Sequence, residues 1–279
     1  MIHPAFFGTS LSSRRPKMKI DFPKPKTVTL FSTCLADLFY PQVRHSTKSL
    51  FESLGYSVTV PKDQTCCGQP AFNSGKWDQA KPVADAWIKA FQGAECVVVP
   101  SGSCTAMIRV NMPHLYEGDK DKLAQVEALA ERTFELVEFL TYVHRDETVA
   151  SKLAGNPVTY HYSCHQRELG LKGETEALLS ASAVVCHELE GKEECCGFGG
   201  AFSARMPEIS AAMLRKKLAN IGQAASQGAQ CVVANDLGCL MNMQCAAQKA
   251  KMDIEFKHVV ELFSSETLAP GGEGRVRGT

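Results

Sequence analysis

Two short stretches of the chain carry a pair of adjacent cysteines followed by glycine. Each pair has one cysteine upstream, after a strand-like run, and one downstream, so eight cysteines form two sets of four. Thiolates gathered from separate loops suit soft or borderline metals, which here means iron–sulfur clusters or zinc. The sequence therefore predicts two metal sites with these ligands: Cys34, Cys66, Cys67 and Cys104 in the first half, and Cys164, Cys195, Cys196 and Cys239 in the second.

The spacing of these cysteines bears on the metal that they bind. Zinc sites commonly use short C-x-x-C pairs, and the sequence contains none. Adjacent side chains in an extended segment point to opposite faces, so neighbouring cysteines reach one small ion poorly but could bind different irons of a cluster. We therefore expect up to two iron–sulfur clusters. Zinc, or thiols without metal, are the alternatives.

The composition favours metal or redox chemistry over disulfides. The chain has 12 cysteines in 279 residues, with an apolar fraction of 44% that is ordinary for a globular protein. Its 30 basic residues balance its 30 acidic ones, which argues against nucleic acid or an anionic membrane as partner. The sequence shows neither an apolar run of membrane-spanning length nor a secretory signal. A cytoplasmic location, where thiols stay reduced, is expected.

The chain also contains an internal duplication. Cys34 and Cys164 are 130 positions apart, and Cys66 and Cys195 are 129 apart. The segment Gly-Ala-Glu-Cys-Val-Val at 93–98 matches Gly-Ala-Gln-Cys-Val-Val at 228–233. Such matches in the same order predict two copies of one domain. The expected divisions are a loose N-terminal extension over 1–25, a first cysteine-rich domain over 26–145, a second over 157–263 and a Gly-rich tail over 264–279.

Short apolar strands alternate with amphipathic helices in each half. This alternation is typical of a parallel sheet flanked by helices, and ligands of such sheets collect beyond the carboxyl ends of the strands. We therefore expect an α/β fold of two duplicated domains, each with a small parallel sheet, related by a pseudo-two-fold axis. Three strands are predicted in each half, at 28–31, 56–60 and 96–99 and at 158–164, 183–186 and 231–234. The predicted helices include 77–91, 121–143 and 207–224.

Other residues near the two cysteine pairs could tune the sites. Gly68, Gly197 and Gly199 would let the backbone approach a cofactor and point N–H groups at its sulfurs, although an ordinary tight turn needs the same residues. His165 is the candidate catalytic residue, as a proton partner or hydrogen-bond donor beside Cys164, and His161 is a weaker candidate. A structural role for both histidines is the alternative.

The cysteines outside the two sets are predicted to be packing residues, because free cysteine is often buried. They are Cys96, Cys186, Cys231 and Cys245.

The residues around these cysteines resemble those of a known protein family. The segments Cys34-Leu35-Ala36-Asp37, Cys66-Cys67-Gly68-Gln69-Pro70, Ser101-Gly102-Ser103-Cys104 and Cys195-Cys196-Gly197-Phe198-Gly199-Gly200 are similar to those of the cysteine-rich (CCG) domain iron–sulfur proteins. One component of heterodisulfide reductase and the iron–sulfur subunit of glycolate oxidase belong to this family. The resemblance covers residues 26–263 and departs from the fuller pattern at one position of each half. Ser101 and Asp236 stand where the family has the first cysteine of a C-x-x-C.

The resemblance implies a function as well as a fold. It implies an iron–sulfur electron-transfer subunit that works with other iron–sulfur subunits in a cytoplasmic complex oxidising lactate to pyruvate. With four rather than five cysteines in each half, the five-cysteine ligation of a non-cubane cluster is not available, and the resemblance implies clusters of 4Fe-4S type. Ser101 and Asp236 could supply oxygen ligands or only shape the turn. The alternatives are a subunit of a glycolate- or thiol/disulfide-linked oxidoreductase, and a non-catalytic zinc-binding scaffold.

Overall fold

The computed structural model describes residues 22–263, which form two halves of the same topology. In the first half, four parallel strands lie in the order β2-β1-β3-β4. The central strands are apolar and buried, as expected where helices cover both faces of a parallel sheet. The strands are β1 (Thr27–Leu30), β2 (Ser57–Thr59), β3 (Val97–Val99) and β4 (Thr133–Glu135).

Helices connect these strands. The amphipathic α4 buries Ala80, Trp87 and Phe91 against the sheet, at the spacing of one helix face. The helices are α1 (Cys34–Phe39), α2 (Pro41–Ser53), α3 (Gln69–Asn73), α4 (Trp77–Phe91), α5 (Gly102–Ala106), α6 (Lys120–Ala130) and α7 (Leu136–Phe139). Short π-helices lie at Met107–Asn111 and Leu140–His144, and short 3-10 helices lie at Met112–Tyr116 and Glu147–Lys152.

The second half repeats the topology with strand order β6-β5-β7-β8, again all parallel. Its strands are β5 (Val158–His161), β6 (Cys186–His187), β7 (Cys231–Ala234) and β8 (Glu255–His258). Its helices are α8 (Cys164–Glu168), α9 (Glu174–Ser180), α10 (Ala201–Arg205), α11 (Pro207–Ser226) and α12 (Leu237–Lys249), with a last tight turn at Val259–Phe263. The predicted α/β class with two duplicated parallel sheets is confirmed.

The two halves pack through equivalent elements. Helix α5 of the first half contacts α8 of the second, and the equivalent pair α12 and α1 also meets. Such reciprocal contacts are those of a pseudo-two-fold axis. One apolar cluster runs through both halves and includes Val28 and Phe139 from the first and Val158 and Leu240 from the second. The shared core therefore joins the two halves.

The number of strands was predicted wrongly. Each sheet has four strands, because β4 interrupts the helix expected over 121–143 and β8 follows α12. The three residues of β4 are fully buried and pair with β3. So short a strand leaves no periodicity in the sequence, and its hydrogen bonds to a neighbouring strand stabilise it.

No helix among residues 22–263 combines the length and apolar character needed to cross a membrane. The predicted N-terminal extension, apart from residues 22–25, and the predicted Gly-rich tail lie outside the described residues. The proposed domain divisions at 26–145 and 157–263 stay predictions.

Candidate metal centres

The first set of four cysteines comes together at the carboxyl edge of the first sheet. Cys34 opens α1 directly after β1, and Cys104 lies in α5 directly after β3. The Sγ atoms of Cys34 and Cys66 are 3.9 Å apart. Hydrogen-bond contacts continue from Cys66 to Cys67 and from Cys67 to Cys104. Loops from three places in the sequence thus deliver four thiols to one point.

The second set repeats this arrangement. Cys164 opens α8 after β5, and Cys239 lies in the first turn of α12 after β7. The thiols contact each other in the same order, from Cys164 to Cys195, to Cys196 and to Cys239. In both sets the second cysteine of the adjacent pair is buried and the first is partly exposed. Each site therefore has a buried side and a side open to solvent.

One thiol in each set is predisposed to lose its proton. Hydrogen bonds from Cys34 and Cys67 lower the pKa of Cys66 to about 3. Hydrogen bonds from Cys164 and Cys196 lower the pKa of Cys195 to about 2. The neighbouring thiols have raised pKa values, because they donate to these sulfurs and are desolvated. The thiolate is the form that ligates metals, so both sites are prepared for a cation.

The glycine after each cysteine pair is required by the backbone. Gly68 and Gly197 have φ angles of 88° and 83°, a region that side chains other than glycine disfavour. In this conformation their N–H groups lie 3.4 Å from the Sγ atoms of Cys66 and Cys195. The expected backbone donors to sulfur are thus present at two of the three glycines. Gly199 instead forms the turn before α10, where a Cβ would lie 2.7 Å from Phe202 Cβ.

His161, the last residue of β5, lies beside the second site. Its ring is fully buried, and neither ring nitrogen has a hydrogen-bond partner. Its ligating atom and the sulfurs of Cys196 and Cys239 all lie within 4.8 Å of one another. Burial lowers the pKa of His161 to about 3, so the imidazole is neutral at physiological pH. An unpartnered neutral imidazole among thiols fits a metal site.

Sequence reasoning missed Lys217, a fully buried lysine on α11. Its Nζ donates to the Gly191 carbonyl at 2.5 Å, and the thiols of Cys195 and Cys196 are among its electrostatic neighbours. Burial lowers the pKa of Lys217. The available signal was its position on the apolar face of α11, seven residues after Ser210 and four before Ile221.

His165 connects the two sites. Its Nδ1 lies 3.7 Å from Cys164 Sγ, and its Nε2 lies 3.3 Å from Nε2 of Gln69, which follows the first cysteine pair. The Gln69 amide also donates to the Ser103 carbonyl at 3.1 Å. A catalytic role for His165 stays a prediction. Its contacts with both halves are also compatible with the alternative, a structural role.

Ser101 and Asp236, the two residues that replace the family's cysteines, form a hydrogen bond with each other at the interface between the halves. Asp236 is buried and accepts from the Ser103 N–H at 2.8 Å, from Ser103 Oγ at 2.6 Å and from Ser101 Oγ at 3.3 Å. Ser101 Oγ also caps α5 by accepting from the Cys104 N–H at 3.3 Å. Hydrogen bonds between the two halves occupy both side chains. This arrangement favours the turn-shaping role over oxygen ligation.

The four remaining cysteines do not join either set. Cys96 and Cys231 are buried in the strand region, as predicted. The packing prediction was wrong for Cys186 and Cys245, which are exposed. Cys186 lies on the edge strand β6, and Cys245 lies on the solvent side of α12. An apolar neighbourhood in the sequence did not reveal that these positions face solvent.

Comparison with known proteins agrees with the duplicated arrangement. The family model of the cysteine-rich domain, CCG, matches twice, at residues 28–109 and 158–244. The lactate utilization protein A of Shouchella clausii is 40% identical over 243 residues, which are 86% of this chain and 99% of the relative. That of Geobacillus kaustophilus is 40% identical over 240 residues, 85% and 98% of the two chains. The lactate utilization protein A of Oceanobacillus iheyensis is 39% identical over 240 residues, 85% and 96%.

The family match covers both cysteine sets, and the relatives align along nearly their full length. The predicted resemblance is therefore confirmed: the chain belongs to the cysteine-rich (CCG) domain family that includes the lactate utilization A proteins.

Proposed function

We propose that this chain is an iron–sulfur electron-transfer subunit of a cytoplasmic complex that oxidises lactate to pyruvate. The observation that carries the proposal is the pair of four-thiol sets, each at the carboxyl edge of a parallel sheet and each with one depressed thiol pKa. The substrate comes from the relatives, which are named for lactate utilization. Other iron–sulfur subunits are the proposed partners.

The donor sets fit iron–sulfur clusters. The ligands of the first cluster would be Cys34, Cys66, Cys67 and Cys104, and those of the second would be Cys164, Cys195, Cys196 and Cys239. A bound cluster supplies one-electron chemistry, with a potential that depends on nearby charge and on hydrogen bonds to sulfur. The N–H groups of Gly68 and Gly197 supply such hydrogen bonds.

Three further features support the proposal: a contact between the two sites, the absence of disulfide bonds among the cysteines of residues 22–263, and an open cleft beside the second site. Gln69, beside the first site, contacts His165, beside the second, so an electron path between the sites would cross the interface here. All twelve cysteines are free thiols, as a reducing cytoplasm requires. Beside Cys195 an open cleft of about 530 Å³, lined also by Arg167 and Lys216, leaves the second site accessible to a partner.

The test is anaerobic reconstitution of the full chain with iron and sulfide, followed by iron and sulfide analysis, visible absorption and EPR. We expect two clusters in each chain. Replacement of Cys195 and Cys196 by serine should remove one cluster and leave the other. The matched control replaces the exposed Cys186 and Cys245 by serine and should keep both clusters.

A chain that binds only zinc, and is therefore colourless, would overturn the iron–sulfur assignment. Clusters retained in the Cys195→Ser, Cys196→Ser double variant would overturn the ligand assignment. The substrate is tested separately. Deletion of the gene should abolish growth on lactate, whereas growth on glycolate should be unaffected. The opposite growth pattern would favour the glycolate-linked alternative.

A further inference from the structure

The two sites differ at a position three residues before the lone cysteine of each set. Strands β1 and β5 pair with β3 and β7 in the same register, with Thr29 opposite Val97 and Thr159 opposite Val232. The positions 130 apart are therefore equivalent in space. By this equivalence Phe31 of the first half corresponds to His161 of the second.

The two sites also differ on the long helix that follows each cysteine pair, α4 in the first half and α11 in the second. Gly68 approaches the backbone carbonyl of Ala80 in α4, and Gly197 approaches that of Ser210 in α11, so these helices are in register as well. A second pair of positions agrees with this register. Phe91 and Ile221 are both buried, and they lie eleven residues after Ala80 and Ser210 respectively. Trp87 of the first half therefore corresponds to Lys217 of the second.

In the first half these two positions are occupied by the aromatic residues Phe31 and Trp87. The rings of Phe31 and Trp87 are 5.8 Å apart at an interplanar angle of 71°. Both side chains belong to the same apolar cluster as Cys67 and Cys104. The indole Nε1 of Trp87 is buried without a partner, but it carries no charge. At the first site, therefore, the side chains at these two positions are uncharged.

In the second half the same two positions carry nitrogen bases. His161 and Lys217 are both fully buried and are electrostatic neighbours of each other and of Cys195. Within residues 22–263, Lys217 forms no ion pair within 4.0 Å, and its Nζ contacts only the neutral Gly191 carbonyl. A buried ammonium without a carboxylate is costly unless another negative charge offsets it. The thiols of Cys196, Cys239 and Cys195 lie nearby, and so does the Glu194 carboxylate, which is partly exposed and pairs with Lys216 at 2.6 Å.

We propose that the second site holds its cluster at the higher reduction potential, because His161 and Lys217 stabilise the added electron where Phe31 and Trp87 do not. This inference rests on the proposed iron–sulfur function. A positive charge close to a cluster favours its reduced form, and an imidazole N–H or nitrogen ligand acts in the same direction. Electrons shared between the two sites therefore reside mainly at the second.

The test is a potentiometric titration of the anaerobically reconstituted full chain, followed by EPR and visible absorption. Two variants that each retain one site, Cys66→Ser with Cys67→Ser and Cys195→Ser with Cys196→Ser, assign the signals. We expect the second site to be reduced at the higher potential. Clusters that bind with equal or reversed potentials would overturn this inference and leave the proposed function intact. Absence of iron and sulfide would overturn both.

Substitution at Lys217 tests the cause. Lys217→Met keeps the apolar stem and removes the charge, and we expect it to lower the ratio of reduced to oxidised second cluster at a fixed potential by about tenfold, which is ~59 mV for one electron. The matched control is Lys249→Met, which removes the same charge from an exposed position at the end of α12 and should leave the potential unchanged. Equal shifts in both variants, or no shift in Lys217→Met, would refute the role of the buried charge.

A second variant keeps the test independent of Lys217. His161→Phe introduces the residue that the first half has at this position, and we expect it also to lower the potential of the second cluster. The potential of the first cluster should not change. A shift of both clusters together would show a general change in the fold and would contradict the local explanation.

Discussion

Gly68→Ala and Gly197→Ala are equivalent substitutions in the two halves, and the structure predicts unequal costs. Both glycines have positive φ, so an alanine at either position costs ~1–2 kcal/mol of backbone strain. At Gly68 the new Cβ would lie 3.4 Å from the Ala80 carbonyl oxygen, an ordinary contact. At Gly197 it would lie 2.7 Å from the Ser210 carbonyl oxygen.

The contact at Gly197 cannot relax easily. Its close neighbour is a backbone atom of α11, and Ser210 Oγ also donates to the Gly197 carbonyl at 2.7 Å. Overpacking of this kind adds about 1–3 kcal/mol. We therefore expect Gly197→Ala to cost ~2–5 kcal/mol and Gly68→Ala to cost ~1–2 kcal/mol. For a chain of this size each kcal/mol lowers the melting temperature by about 2–4 °C.

The assay is thermal unfolding of the metal-free full chain, followed by circular dichroism. Gly93→Ala is the matched control, because a Cβ there meets no atom within 4 Å and the glycine has no positive φ. We expect melting temperatures in the order wild type and Gly93→Ala, then Gly68→Ala, then Gly197→Ala. Equal melting temperatures for the last two variants would refute the close contact in the second half.

Three further predictions concern the interface and the thiols. Asp236→Ala should lower the free energy of unfolding by about 3–5 kcal/mol in urea titrations, because Ser103 N–H and Oγ lose a charged acceptor. Burial raises the pKa of Glu135 from 4.5 to about 8, so the native state retains a proton that the unfolded state releases. The contribution of Glu135 to the unfolding free energy should therefore fall by up to about 5 kcal/mol between pH 4.5 and 8. It is measured as the difference between the wild type and Glu135→Gln, because the buried His161 and His258, with lowered pKa values, add an opposite slope to both proteins. Iodoacetamide should modify Cys186 and Cys245 rapidly in the native metal-free chain, as mass spectrometry of peptides can show.

Each of these predictions has a control. Asp253 is exposed, so Asp253→Ala should leave the free energy of unfolding unchanged. For Glu135, a slope that is the same in the wild type and in Glu135→Gln would contradict the raised pKa. In the alkylation experiment the buried Cys96 and Cys231 should react only on unfolding. Modification of all four cysteines at one rate would contradict the burial pattern.

Much of the site could be predicted because the pattern is local. A lone cysteine after a strand, an adjacent pair before glycine and a third position after the next strand each depend on a few neighbouring residues. Since ligands collect at the carboxyl edge of a parallel sheet, the gathering of Cys34 with Cys66 and of Cys164 with Cys195 followed from the order of strands. Gly68 and Gly197 were expected to let the backbone approach the sulfurs, and the positive φ at both positions does so.

The failures share a different cause. Strands β4 and β8 exist because a neighbouring strand supplies their hydrogen bonds, and three or four residues show no reliable period. Cys186 and Cys245 have apolar neighbours in sequence, but the sheet edge and the helix orientation place them in solvent. Burial depends on what packs against a residue, and local sequence does not contain that information.

By itself, therefore, the sequence determined the duplication, the α/β class and the two sets of four cysteines. Only the tertiary structure decided what surrounds each set. It placed Asp236 against Ser103 across the interface, joined the sites through Gln69 and His165, and buried Lys217 beside thiols. Ligand patterns are set by short-range spacing, whereas the charge and polarity around a site are set by side chains far apart in the chain that meet only when the two halves pack.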